Sequence, residues 1–470
     1  MDRYRVFLWM ETSRTYGRSI LRGIGRYCRT HGPWVFLRRA PFYWGASGTD
    51  DSLKALRALG AHGMVLREQG EREQMLKLLA LELPTVVSPY TEPVPGLPNI
   101  LTDDAAIGRM AAAYLLERGF RHFAYCGFGD MYYWSRRRGR SFAETVRAAG
   151  FEVHCYGYEQ AGTRTPHSWE KEQGILTDWL RRLSYSGRAA SVAEPVGLMA
   201  CNDDRGQDVL EACKAAGLRV PEQVAIVGVG NDDLVCDLAA PALSSIALSA
   251  QKAGYEAAAL LDRWMGGEAL DRLRGAGGPV SRSPRPRTPK ASGPQFEGET
   301  PSTRAGKMPA TQQGQDALAM EERGRDALDT GEPGNDALAP WNIIVRPSRV
   351  VTRQSTDVFA VADRHVLEAL RFIHVRARVE AVQVDDVLGA VSVSRRSLYD
   401  RFARTLSRSV HEEIKRVRVD ELARLLVGTD LPMSQIAQRL GCPDIKNLAR
   451  YFKQTMGVTP LQYRHEHSPR

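Results

Sequence analysis

Short apolar runs alternate with helical stretches through the first half of the chain. Val6 to Met10, Val35 to Leu37, Met64 to Leu66 and Thr85 to Val87 read as strands, with helices expected over 17–30, 52–59 and 71–81 between them. After Asp103 the alternation resumes with a helix to Arg118, a strand Phe123 to Cys126, a helix over 136–149 and a strand Glu152 to Tyr156. A helix around 170–183, a strand Val196 to Cys201, a helix over 205–216 and a strand Val224 to Val229 follow. A βα repeat builds a mostly parallel sheet covered by helices, and the number of units predicts two consecutive doubly wound lobes rather than one wide sheet. A cleft between such lobes binds small molecules at the carboxyl ends of the strands.

The last hundred or so residues change period and predict helices only. Val384 to Thr405 reads as a short helix, a tight turn and a longer helix opened by Ser394, a natural N-cap. Met433 to Met456 repeats the arrangement, with Gly441 ending one helix and Pro443 and Asp444 opening the next. In each unit the later helix has one apolar stripe, Leu398 and Phe402 in the first, Leu448, Tyr451 and Phe452 in the second. Polar groups on the opposite face could reach base edges. Val410 to Val427, with apolar residues at Val410, Ile414, Val417, Leu422 and Leu425 and no breaker, predicts one stiff connecting helix. Either unit alone reads equally well as an ordinary pair of packed helices. Two in tandem on a rigid connector predict a grip on two successive major grooves of double-stranded DNA, about 34 Å apart.

Residues 275–340 match neither pattern. They are rich in Pro, Gly, Ser and Thr and carry a polar near-repeat, Gly314-Gln-Asp-Ala-Leu, Gly324-Arg-Asp-Ala-Leu and Gly334-Asn-Asp-Ala-Leu. Such a segment cannot bury enough apolar surface to offset ordering entropy, so a disordered low-complexity insertion is expected there.

Charge sharpens the assignment of the last part. The protein carries a formal net charge of +9, and from Arg364 onward 19 lysines and arginines face 12 acidic residues. A positive surface supplies the salt-sensitive, sequence-independent part of DNA affinity, although basic faces are often only solvated. The start of the sequence lacks the apolar length of a secretion signal, and no run approaches a membrane span. Seven cysteines occur without a C-x-x-C pair, so no disulfide framework, metal site or cofactor is expected and the cytoplasm is the expected compartment.

The closing run Gly457-Val-Thr-Pro-Leu-Gln-Tyr-Arg464, with Tyr451-Phe452-Lys453 before it, resembles the signature of the AraC family of transcription regulators over about Val366 to Arg464. The earlier part is similar to the LacI and periplasmic sugar-binding superfamily at Leu115 to Gly127, Cys201-Asn-Asp-Asp204, Val220 to Asp233 and Pro241 to Ile246. A sensor of that kind followed by such a reader resembles the bacterial xylose operon regulators. The resemblance implies a periplasmic-binding-protein-like sensor over 1–353, interrupted by the insertion, a hinge over 354–363 and a DNA-binding domain over 364–467. Trp341 to Arg346 and Arg349 to Asp357 resemble the strand and exit segment that complete the sensor.

The same resemblance implies sugar contacts at Arg138, Trp134, Asn202, Asp203, Asp232, Asp233 and Asp103, with Glu11 and Tyr16 in the first βα loop as further candidates. Carboxylates and amides accept from adjacent hydroxyls, guanidinium donates to sugar oxygens and an indole packs on C–H groups. An Asn-Asp pair after a strand serves equally as a helix N-cap. Gly228-Val-Gly230 invites a dinucleotide reading but lacks the third glycine. Base contacts are expected from Arg395, Arg396, Ser397 and Tyr399 in the first unit and from Ile445, Lys446, Asn447 and Arg450 in the second; phosphate contact is the alternative for Arg396 and Lys446. The expected protein is a pentose-responsive activator, not an enzyme and not membrane-bound, acting as a homodimer with RNA polymerase a further candidate partner. A sugar-processing enzyme with a DNA-tethering tail and a constitutive DNA-binding protein are the competing readings.

Overall fold

The apolar runs form strands in the computed structural model, which describes residues 4–38, 58–68, 72–156, 168–185, 194–269 and 341–467 apart from 362, 407 and 443. The helix expected over 52–59, save its last two positions, and the insertion expected over 275–340 lie outside the described residues.

In the first lobe, β1 (Arg5–Trp9), β2 (Val35–Arg38), β3 (Gly63–Arg67) and β4 (Thr85–Ser88) make a parallel sheet in the order β2-β1-β3-β4. Strand alternation decides the two faces. Val6 and Leu8 turn to a core with α1 (Thr15–His31), while Phe7 and Trp9 pack on Met75 and Leu78 of α2 (Arg72–Leu79). Both faces are covered, which is why β1 reads as a continuous apolar run and not as an alternating one.

The second lobe opens after β5 (Ile100–Thr102) with α3 (Asp104–Glu117), β6 (His122–Cys126), α4 (Tyr133–Ala148), β7 (Val153–Tyr156), α5 (Trp169–Tyr185), β8 (Val196–Ala200), α6 (Asp203–Ala216), β9 (Val224–Gly230), α7 (Asp233–Leu238) and β10 (Ser244–Leu248). Its sheet runs β12-β10-β9-β8-β6-β7, antiparallel only where β12 (Pro347–Val351) meets β10. Ile107, Leu115, Phe142 and Val146 cover one face, and Leu176, Leu180, Val209 and Leu210 cover the other.

The lobes are not consecutive in the chain, contrary to expectation. α8 (Ala250–Met265) crosses back to pack along α1, and β11 (Ile343–Val345) joins β5 in parallel before β12 returns to the second lobe. Hydrophobic periodicity passes over α8 because its buried stripe is Ala250, Ala253, Gly254, Ala257, Ala258 and Leu261, mostly small residues. Small residues are what the packing needs. A Cβ at Gly254 would lie 2.1 Å from the Ile20 carbonyl oxygen, and one at Gly23 2.0 Å from that of Gln251.

The expected hinge starts too early. Gln354–Thr356 form a 3-10 turn inside the second lobe, where the Ser355 hydroxyl donates to the Ile226 carbonyl at 2.6 Å.

The last domain comprises α9 (Arg364–Arg376), α10 (Val384–Ala390), α11 (Arg395–Leu406), α12 (Val410–Gly428), α13 (Met433–Arg439), α14 (Ile445–Met456) and α15 (Pro460–His467). α12 has 19 residues, about 28 Å of helix, and opens with a capping box between Ser409 and Glu412. Its first half, through Val410, Ile414 and Val417, belongs to the core of the first helix-turn-helix unit. Its second half, through Val419, Leu422, Leu425 and Leu426, belongs to the core of the second.

Gly254→Ala should force α1 and α8 apart and destabilise the first lobe by about 1–3 kcal/mol, read as a lower denaturation midpoint. Unchanged stability would mean that the helices are not held at this distance.

Candidate functional site

The carboxyl ends of β1, β3, β8 and β9 converge on a cleft of about 110 Å³ between the lobes, lined among others by Tyr16, Arg67, Tyr90, Trp134, Arg138 and Asp203. Arg138 comes from the second turn of α4 and is 5% exposed. Its Nε donates to Asp104 Oδ1 at 2.9 Å, Nη1 to the Cys201 carbonyl at 2.7 Å and Nη2 to Thr102 Oγ1 at 3.2 Å. The guanidinium carbon also lies 4.8 Å from the centre of the Trp134 ring. Burial pushes the Asp104 carboxyl above its ordinary value, and the Arg138 charge opposes that shift. Across the cleft the Arg67 guanidinium lies 4.5 Å from the centres of both the Tyr16 and Tyr90 rings and donates to Ser88 Oγ at 2.9 Å.

The first lobe touches the second through the start of α1. Arg14 holds Asp204 with two nitrogens, at 2.7 and 2.9 Å. The Thr15 N–H donates to Asp232 Oδ2 at 2.5 Å, the Thr15 hydroxyl to Asp233 at 3.1 Å, and Arg18 reaches Asp232 at 3.3 Å. Three residues within about one turn thereby clasp the acidic ends of two second-lobe strands.

These contacts sort the expected sugar residues. Arg138, Trp134, Asn202, Asp203, Asp232 and Tyr16 line the cleft together. Asp203 accepts from Ser245 Oγ and from the Asp232 N–H; burial pushes it up to about 6 against those bonds. Asn202 N-caps α6 by accepting from the Arg205 N–H at 2.9 Å, the competing reading for that pair. Glu11, Asp103 and Asp233 do not line the cleft. Glu11 accepts from the Ser13 N–H, Asp103 N-caps α3 through the Ala106 N–H, and Asp233 faces Thr15. Asp103 and Asp104 are neighbours, and the helix start gives the cap to the first and the cleft arginine to the second. Arg67 and Tyr90 escape sequence reasoning, although Arg67 ends β3 and Tyr90 follows β4, which is the signal that could have found them.

The basic domain places its expected base readers at the starts of α11 and α14. Arg395, Arg396, Lys446, Asn447 and Arg450 are exposed, with Ser397 and Tyr399 less so. Arg396 and Lys446 make no hydrogen bond or ion pair among the described residues, so their charges are available to a ligand. Arg395 instead pairs with Asp385 of α10. Ser397 accepts from Arg401, which is also bound to Asp363 at 2.6 Å, and Arg450 donates to Asn447 at 2.7 Å. The second turn uses Gly441 in the left-handed region, φ 61°, where a Cβ would meet the Ala381 nitrogen at 2.8 Å. Asp444 then caps α14 through the Asn447 N–H.

Removing the clasp with Arg14→Ala and Arg18→Ala together should open the lobes, seen as a larger radius of gyration in solution scattering; an unchanged radius would assign closure elsewhere. Arg396→Ala should cost about 1–3 kcal/mol of discrimination at one base position if it reads a base edge. Equal weakening on every sequence, with a smaller salt slope, would make it a phosphate contact.

Two family models match the chain: a periplasmic binding protein-like domain at residues 112–276 and a helix-turn-helix domain at 387–466. The xylose operon regulatory protein of Escherichia coli (strain K12) is 25% identical over 468 residues, covering 98% of this chain and 97% of that protein. The Haemophilus influenzae protein of the same name is 23% identical over 469 residues, covering 98% of both. The solved structure of xylose-binding transcription activator xylR covers 100% of this chain and 99% of its own at 24% identity, with a TM-score of 0.49. Along nearly its whole length the chain is therefore similar to the xylose operon regulatory proteins, with a periplasmic binding protein-like domain ahead of a helix-turn-helix domain.

Proposed function

We propose that this protein is a sugar-responsive, DNA-binding transcription regulator that takes a xylose-type pentose in the inter-lobe cleft and activates genes of pentose breakdown. The observation that carries the reading is hydrogen-bonding capacity in and beside that cleft. The buried Arg67 Nε and Asp104 Oδ2 have no hydrogen-bond partner among the described residues. A buried donor or acceptor left unmade costs about 1–3 kcal/mol, and a polyhydroxyl ligand can satisfy both kinds. Tyr16, Tyr90 and Trp134 supply aromatic surface for its C–H groups. The resemblance to xylose operon regulatory proteins, which covers 98% of this chain, supports the pentose.

The sugar acts by binding one arrangement of the lobes better than another. The closed clasp of Arg14, Thr15 and Arg18 on the second lobe is the arrangement that would enclose it. α11 and α14 then enter successive major grooves of DNA in the cytoplasm, with Arg396 and Lys446 the leading contacts. A homodimer and contact with RNA polymerase complete the reading. No helix among the described residues is long and apolar enough to cross a membrane. Binding without turnover is favoured over catalysis because the two buried carboxylates that line the cleft already have structural partners: Asp203 holds Ser245 and Asp232 holds Thr15.

A thermal-shift screen of pentoses and hexoses tests the reading. A pentose at a hundredfold excess over its Kd should stabilise the sensor by about 2.7 kcal/mol, with the effect reduced in Arg67→Met. No stabilisation by any pentose would reject the effector, and conversion of the recovered sugar would reinstate an enzyme.

A further inference from the structure

α3 has one end at the cleft and the other on the DNA-binding domain. It has 14 residues, about 21 Å of helix. At its start Asp104 holds Arg138, and Thr102 Oγ1 bonds both of them. Its flank is pressed to α4: a Cβ at Gly108 would lie 2.5 Å from the Arg138 carbonyl oxygen, and the Ser141 hydroxyl donates to the Ala105 carbonyl at 2.8 Å. A shift of Arg138 therefore displaces α3 as a body, since close-packed helices do not yield by compression.

At its far end Glu117 meets α12 and the residue that precedes it by two. Glu117 Oε2 accepts from Arg416 Nη1 at 2.6 Å, and the Glu117 carbonyl accepts from Arg408 Nη2 at 2.6 Å. Both arginines also hold Glu413, at 2.7 and 2.6 Å, and His374 of α9 lies 2.8 Å from the same carboxylate. Glu413 is fully buried. Burial alone would raise its carboxyl; His374, Arg416 and Arg408 hold it well below the usual carboxylate range. Next to Glu117, the Arg118 carbonyl accepts from the Ala360 N–H at 2.9 Å, pinning the segment between the domains. The second helix-turn-helix unit has its own anchor, the Tyr463 hydroxyl donating to the Ser348 carbonyl of β12 at 2.5 Å. A change at Glu117 is thus delivered to α12, the element shared by both reader cores.

We propose that Glu117 is a positioning residue for regulation: through the bond of its carboxylate to Arg416 it transmits the position of α3, set at the cleft by Asp104 and Arg138, to the paired DNA-reading units. This rests on the reading of the cleft as the sugar site. The coupling runs both ways, so DNA should alter sugar affinity by the same factor.

The test uses the full-length protein with xylose and a DNA duplex that the protein itself recovers from a random-sequence pool. In the unaltered protein, xylose should change duplex affinity by about tenfold. Glu117→Gln should bring that ratio to within about twofold of unity while sugar affinity measured without DNA stays unchanged. Glu117→Asp, which keeps the carboxylate, should recover part of the response, and Glu144→Gln on the exposed side of α4 should leave it whole. A full response in Glu117→Gln, or an equal loss in Glu144→Gln, overturns the proposal. If xylose has no effect on the unaltered protein, the sugar reading fails and a second arm still decides the link. There Asp104→Asn, or Thr102→Val should the first not fold, perturbs the cleft directly. Its effect on duplex affinity should vanish in the Glu117→Gln background; an effect of the same size in both backgrounds refutes transmission through Glu117.

Discussion

The buried bond between Arg138 and Asp104 is the contact on which the rest of the arrangement depends. It lies where β5 ends, α3 begins, the Cys201 carbonyl just after β8 turns inward and α4 presents its second turn. A guanidinium with such low exposure must be matched by acceptors, and here a carboxylate, a hydroxyl and a backbone carbonyl meet it in fixed directions. Removing one partner from a buried pair leaves a charge that water cannot reach, at a cost of about 3–5 kcal/mol. The bond therefore fixes the start of α3 against the cleft, whatever occupies the space beside it.

From that point two rigid elements in series reach the helix-turn-helix units. α3 is locked to α4 by close backbone approach, and α12 is locked into two cores at once. Between them lies a small polar seam of two arginines, two glutamates and a histidine. His374 is pushed down to about 4 by burial, against the pull of Glu413, so it is neutral at ordinary pH. Glu413 and Glu117 together balance Arg408 and Arg416, so the seam needs no third cation. Polar seams of this kind hold one geometry because charge-assisted bonds are directional, whereas an apolar contact would tolerate sliding.

Much of the architecture was legible in the order of residues. Continuous apolar runs marked strands buried on both faces, and the change to a helical period marked the second domain. The connector was legible because apolar positions on α12 continued without a breaker. What escaped was carried by small residues or by distance in sequence. α8 buries alanine and glycine, which carry little hydrophobic signal. Its pairing with α1, and that of β11 with β5, join segments far apart in sequence, so the lobes interleave where consecutive units were expected. In the cleft the family resemblance pointed to Arg138, Trp134 and Asp203, which line it together. It could not distinguish Asp103 from Asp104, because one residue of helical rotation separates a cap from the carboxylate that holds Arg138.

The sequence by itself determined the two kinds of domain, their order and the exposed basic positions of the readers, because periodicity, capping residues and charge are local properties. Only the tertiary structure decided that Asp232 clasps the opposite lobe, that Arg67 lies between two tyrosine rings, and that Glu117 grips α12. Those contacts join residues tens to hundreds of positions apart, and no local pattern specifies which side chains a fold will bring within hydrogen-bonding distance.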